Sequence, residues 1–220
     1  MRRVVGVAVT LTGAFFGLVA LASALGALAP PGVFALDSLD CEPPCWQGIV
    51  PGETNASAAR RALSSSALVE PGSVRYNVPS IDYEDTGDLY WSLRDESAGL
   101  LRGASARVRG WVLTAFDVPG LGARLGDLVA VFGEPTWVVA RYLPGQEPAR
   151  LVVDALYPAL GMRLVLSGEG YVHLSPELVV SRVYYGDQTR LPEPAAEAGL
   201  SLAMTWRGFV SVGRYGVLPP

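Results

Sequence analysis

Cys41 and Cys45 are the only cysteines, in the run Cys-Glu-Pro-Pro-Cys. Three intervening residues can close a small disulfide loop, and the two prolines favour the turn it needs. A redox motif would have two intervening residues in a thioredoxin-like surrounding. A zinc site would need two further ligands, and the single histidine, His173, is far away in the chain. A structural disulfide is therefore expected, contributing about 2 kcal/mol through loop entropy. Its role would be to fix how the chain enters the domain that follows.

The remaining chemistry-bearing residues do not converge. His173 sits in Tyr171-Val172-His173-Leu174, at the end of a strand candidate, and no Gly-x-Ser-x-Gly elbow accompanies it. The chain has no lysine, so serine–lysine chemistry is ruled out. Asp82, Glu84, Asp85 and Asp88 cluster. Paired carboxylates can hydrolyse glycosides and oxygen ligands can hold calcium. This spacing lacks the regular alternation and the terminal glutamate of a calcium loop, and it reads as a solvated turn. Gly120-x-Gly122 lacks the preceding strand and third glycine of a nucleotide fingerprint. We expect no catalytic residue, no metal ligand and no cofactor, and hence no enzyme. Arg60 and Arg61 form the only adjacent basic pair past the N-terminus. They read as a solvated helix face, and a nucleic-acid partner is not expected. Trp91, Trp111 and Trp137 fall in strand candidates and are expected in the core. Exposed, they would line a sugar or peptide groove.

Elements able to position these residues emerge from periodicity. Thr54 or Asn55 caps a helix that the alanines 56, 58, 59 and 62 propagate. Asn55-Ala56-Ser57 is also a formal glycosylation sequon, with the cap the preferred reading. Leu125, Leu128, Val129 and Phe132 lie at i, i+3, i+4 and i+7 of a second helix, which Gly133 and Pro135 end. Strands are expected at 73–78, 89–93, 107–113, 137–140, 151–157, 161–166 and 178–185, with a turn at 85–88. The fold class is α+β, with short helices packed on an antiparallel sheet.

The chain of 220 residues is 50% hydrophobic and only 17% charged, with a net charge of −4. Met1-Arg2-Arg3 precedes an uncharged run from Val4 to Leu36, closed by Asp37. A helix over Val4–Ala29 would reach about 39 Å, enough to cross a hydrocarbon core of roughly 30 Å. The arginines before it and acids after it orient the N-terminus inside and the remainder outside. Residues 1–36 are thus expected to be an N-terminal transmembrane anchor. Cleavage as a signal after Ala22-Ser23-Ala24 is the alternative. A lipoprotein is the least favoured reading, because Asp40 precedes Cys41. Each places the ectodomain beyond the membrane. Residues 37–52 form a proline-rich disulfide linker, 53–190 an α+β ectodomain, and 191–220 a C-terminal linker and tail.

Val50-Pro51-Gly52 opens the first helix and Val118-Pro119-Gly120 the second. The pattern allows two tandem helix-plus-sheet units, 48–117 and 118–190. Gly48 to Thr54, with the alanine-rich helix after it, resembles the opening of the SmpA/OmlA (BamE-like) module, the small lipoprotein component of the outer-membrane β-barrel assembly machinery. Leu125 to Phe132 with Gly133-Glu134-Pro135 is similar to the way such modules close a helix before their first strand. Tandem copies of a similar unit occur in secreted β-lactamase-inhibitor-like proteins. Cys45-Trp46-Gln47-Gly48-Ile49 also resembles a segment in uncharacterised extracytoplasmic proteins of Chloroflexi-type bacteria. The matched residues are about 25 of the 220, without a lipobox cysteine and in a chain longer than one such module. The resemblance implies a protein-binding scaffold and not a role in barrel assembly. The expected function is a membrane-anchored interaction or structural module of the bacterial cell envelope, whose partner is another envelope protein. A secreted ligand-binding or inhibitor-type domain is the alternative.

Overall fold

The computed structural model describes residues 41–77, 86–95, 100–143, 150–169, 173–186 and 203–216. The expected anchor, the acids 82, 84 and 85, and residues 187–202 lie outside these residues. Among the described residues no helix is long and apolar enough to cross a membrane.

Among the described residues nine antiparallel strands form one sheet, with two α-helices, so the class is α+β. The helices are α1 (Ala56–Ser65) and α2 (Leu125–Phe132). The strands are β1 (Arg75–Asn77), β2 (Thr86–Asp95), β3 (Leu100–Arg109), β4 (Val112–Pro119), β5 (Trp137–Leu143), β6 (Arg150–Tyr157), β7 (Met162–Glu169), β8 (Val180–Gly186) and β9 (Met204–Thr205). Their spatial order is β1-β2-β3-β4-β8-β7-β6-β5-β9. Two meanders, β1–β4 and β5–β8, therefore meet along their last strands. At that seam Phe116 faces Tyr185 across the register, and their rings stack with centroids 4.8 Å apart.

One face of the sheet carries the core. Leu89, Trp91 and Leu93 of β2 alternate inward, and Ala104, Ala106 and Val108 of β3 meet them. Small residues there make room for Trp91, which is directly opposite Ala104. The same cluster takes in Leu63 of α1, Leu125 and Leu128 of α2, and Trp46 and Ile49 from the turn after the disulfide. Trp46 is fully buried and stacks on Trp91 at 6.2 Å. Val212 and Tyr215, in a short 3-10 turn after β9, are buried in the same cluster.

The opposite face is largely polar at its centre. Asp117 of β4 accepts from Ser105 and pairs with Arg182. Arg163 lies over the ring of Tyr184 at 4.0 Å. Asp154 of β6 is buried and pairs with Arg141 at 2.6 Å. A buried carboxylate must be compensated in this way or its desolvation would be costly.

Both helices begin with the same backbone arrangement. The Gly52 amide donates to Leu113 O at 2.6 Å, the Leu113 amide to Thr54 O at 2.9 Å, and the Ala56 amide to Trp111 O at 2.9 Å. Around α2 the Gly120 amide donates to Ser181 O at 3.1 Å, the Val180 amide to Ala123 O at 2.8 Å, and the Leu125 amide to Leu178 O at 2.8 Å. In each set the strand that closes a meander satisfies donors that the helix start would otherwise leave free.

Two strand expectations need correction. Residues 107–113 are not one half-buried strand: Gly110 and Trp111 turn the chain between β3 and β4, both at positive φ. Two successive positive-φ residues are what a tight hairpin requires. Of the turn expected at 85–88, residues 86–88 are strand instead, because β2 begins at Thr86 and pairs with β3 from there; Asp85 lies outside the described residues.

Candidate functional site

Helix α1 owes its start to Asn55, whose side chain accepts from the Ala58 amide at 2.8 Å. The cap reading of this residue thus holds in the fold. Ala56, Ala59 and Leu63 turn inward. Ser57, Arg60, Arg61, Ser64 and Ser65 occupy the opposite side, and all are exposed. Because β1 has only three residues, the sheet edge beside this polar side is short.

The result is an open groove of about 620 Å³. The exposed side of α1 forms one wall, with Ala56 at its start. Tyr76 of β1 and Leu89 of β2 contribute the sheet side, and Trp111 closes one end. Trp111 is 54% exposed. At φ 64° its backbone occupies the left-handed region. That region costs a bulky L-residue about 1–2 kcal/mol. The Ala56 amide, donating to the Trp111 carbonyl, ties this strained turn to the helix start.

The electrostatics of the groove are one-sided. Arg60 and Arg61 line it, with no carboxylate among the described lining residues. Four ion pairs occur among the described residues: Arg94–Glu70, Arg124–Glu177, Arg141–Asp154 and Arg182–Asp117. Neither groove arginine takes part in them. This arrangement can attract a carboxylate or other anion and offer it forked N–H donors. The Ser64 hydroxyl beside them adds a neutral donor, whereas those of Ser57 and Ser65 already donate to Asn55 Oδ1 and Ala62 O. Among the described lining residues no side chain stands as a base against a nucleophile.

The other sequence candidates lie elsewhere. Cys41 and Cys45 stand at disulfide distance, with Cα atoms 5.6 Å apart. Cys45 is buried at the edge of the core. His173 is exposed and forms a lone backbone bridge with Ser211. The Ser211 hydroxyl instead accepts from the Gly213 amide. Asp88 lies in β2 and accepts from the Tyr90 hydroxyl at 3.3 Å. Among the described residues no group of three or more His, Cys, Asp or Glu side chains is arranged to hold a metal. Trp91 is in the core as expected, whereas Trp111 and Trp137 are 54% and 41% exposed.

Sequence reasoning placed Arg60 and Arg61 on a solvated helix face and missed that a hairpin tip stands over it. The signal for that tip was Gly110, which interrupts the polar–apolar alternation just before Trp111. The spacing of Ser57, Arg60 and Ser64, at i, i+3 and i+7, marks one continuous polar stripe.

No family model matches the chain, and no curated protein or solved structure matches it.

Proposed function

We propose that this chain is an extracytoplasmic interaction module of the bacterial cell envelope, anchored through residues 1–36 with its N-terminus inside. The observation that carries this reading is the groove beside α1, where an exposed aromatic ring stands in a strained turn next to two arginines that join no ion pair among the described residues. A side chain held at a conformational cost and left half in solvent is better explained by a ligand than by packing. The apolar N-terminal run and the disulfide at the start of the fold support an oxidising, extracytoplasmic address. On this reading the protein binds and does not catalyse, and it uses neither a cofactor nor nucleic acid.

We also read the ectodomain as two tandem helix-plus-sheet units. The matched backbone bonds at 52–113 and 120–181 support this, since they recur at a spacing of 68 residues. The doubled unit is the reason to retain the resemblance to the SmpA/OmlA module at the level of architecture. The small-residue site Ala22-Ser23-Ala24 favours a second reading, a secreted ligand-binding or inhibitor-type domain that uses the same groove.

Photo-cross-linking in cells tests the proposal. A benzophenone amino acid replaces Ser64, on the groove wall, or Ala130, on the exposed side of α2, in the full chain. The expected result is a discrete envelope-protein adduct from position 64 and none from position 130. Equal, diffuse labelling from both positions would count against a specific binding module.

A further inference from the structure

We propose that the groove beside α1 binds an acidic peptide segment bearing an apolar side chain, presented by a partner protein. This inference rests on the interaction-module reading and specifies its ligand.

Charge gives the first argument. Among the described residues the lining of this groove contains two arginines and no acid. Two other exposed arginines are matched by acids: Arg94 has Glu70 and Arg124 has Glu177. Arg60 and Arg61 have no such mate among the described residues. Two adjacent guanidinium groups select an acidic ligand and repel a basic one.

The second argument is the ring. Glycine or asparagine would hold the position of Trp111 at lower backbone cost. The sequence instead places its largest apolar side chain there, and 54% of it faces solvent. A bare inorganic anion would need only the arginines. An indole beside two guanidinium groups fits a ligand that alternates carboxylates with an apolar side chain.

Shape supplies the third. A space of about 620 Å³ suits a few side chains of an extended peptide. A membrane surface is flat and meets protruding elements, whereas Arg60, Arg61 and Trp111 together line a concavity. These features favour a peptide over a lipid headgroup.

The test uses the full chain in neutral detergent micelles and two fluorescein-labelled hexapeptides. One has five glutamates and one phenylalanine, and the other has lysine in place of glutamate. Fluorescence anisotropy should show saturable binding of the acidic peptide alone. The double variant R60Q/R61Q should weaken it about tenfold, equivalent to about 1.4 kcal/mol. W111N should weaken it about fivefold, and R124Q should leave it unchanged. Melting of each variant is followed by circular dichroism, and R60Q/R61Q should melt like the parent because both residues are exposed. Equal binding of the two peptides would overturn the proposal. So would full affinity in a natively melting R60Q/R61Q. Phosphatidylglycerol in the micelles that binds through these arginines while the acidic peptide does not would assign the groove to lipid and overturn it too. An ectodomain found on the cytoplasmic side would instead defeat the module reading while leaving this affinity intact.

Discussion

The carbonyl of Trp111 accepts the amide of Ala56 at 2.9 Å, joining the tip of the β3–β4 hairpin to the first residue of α1. One bond thus couples the strained turn to the start of the helix that carries Arg60 and Arg61. Helix position and ring position are set together, and the groove between them is a product of the fold and not of either element alone. The corresponding bond at α2, from the Leu125 amide to Leu178 O, has leucine at the acceptor position, and no pair of arginines follows in that helix. The two helix starts share a backbone plan and differ in what their side chains offer.

The conformation of Trp111 makes a prediction about backbone strain. Trp111→Asn and Trp111→Val both remove the ring, and Val is the more apolar replacement. Asparagine tolerates positive φ, while a β-branched residue does not. We expect the Asn variant to be more stable than the Val variant by about 1–2 kcal/mol in urea denaturation. The opposite order would show that the turn does not hold this residue in the left-handed region.

Alkaline stability should depend on Tyr157. Its hydroxyl donates to Gly133 O at 3.1 Å, just past the end of α2. Burial raises its pKa well above the usual tyrosine value, and the nearby Glu134 carboxylate adds to the effect. A raised folded-state pKa means that the stabilisation is intact below the unfolded value of about 10. It is then lost as pH rises further, because the unfolded chain ionises first. Tyr157→Phe should cost about 1 kcal/mol at neutral pH through the lost hydrogen bond. It should also flatten the fall in melting temperature above about pH 10. An unchanged alkaline slope in the variant would contradict this role.

Close backbone approach just before α2 sets a third expectation. A Cβ built on Gly120 would overlap the backbone carbonyl of Val180, in a segment held in place by the Gly120–Ser181 and Val180–Ala123 hydrogen bonds. Gly120→Ala should therefore destabilise by about 3 kcal/mol or prevent folding. Gly103 on β3 has open space around its Cβ position, and Gly103→Ala should change stability by less than about 1 kcal/mol. Similar effects at both sites would count against the described packing.

Legibility of the fold followed how local the determining forces are. Helix α2 was readable because Leu125, Leu128, Val129 and Phe132 repeat at helical spacing and Gly133 stops them at φ 79°. The α1 cap was readable because Asn55 acts on an amide three residues away. Strand β3 was not readable in full. Its Gly103-Ala104-Ser105-Ala106 stretch has weak strand preference, and its small residues make sense only opposite Leu89 and Trp91. The turn at Trp111 was hidden by an alternation that Arg107, Val108 and Arg109 begin and Gly110 ends. The groove was the least legible feature. Residues 60, 61 and 111 meet only because a carbonyl at a hairpin tip reaches a helix start fifty-five residues earlier in the chain. Such pairings belong to tertiary structure, which local patterning does not encode.

The central claim is that the groove faces the outside of the cell membrane. Its most direct test is labelling of a Ser64→Cys variant, expressed as the full chain, by a membrane-impermeant maleimide in intact spheroplasts. Ser64 is exposed on the groove wall, and the two native cysteines are paired. The account predicts labelling of the variant before lysis and none of the parent. Labelling that appears only after the spheroplasts are broken would contradict it.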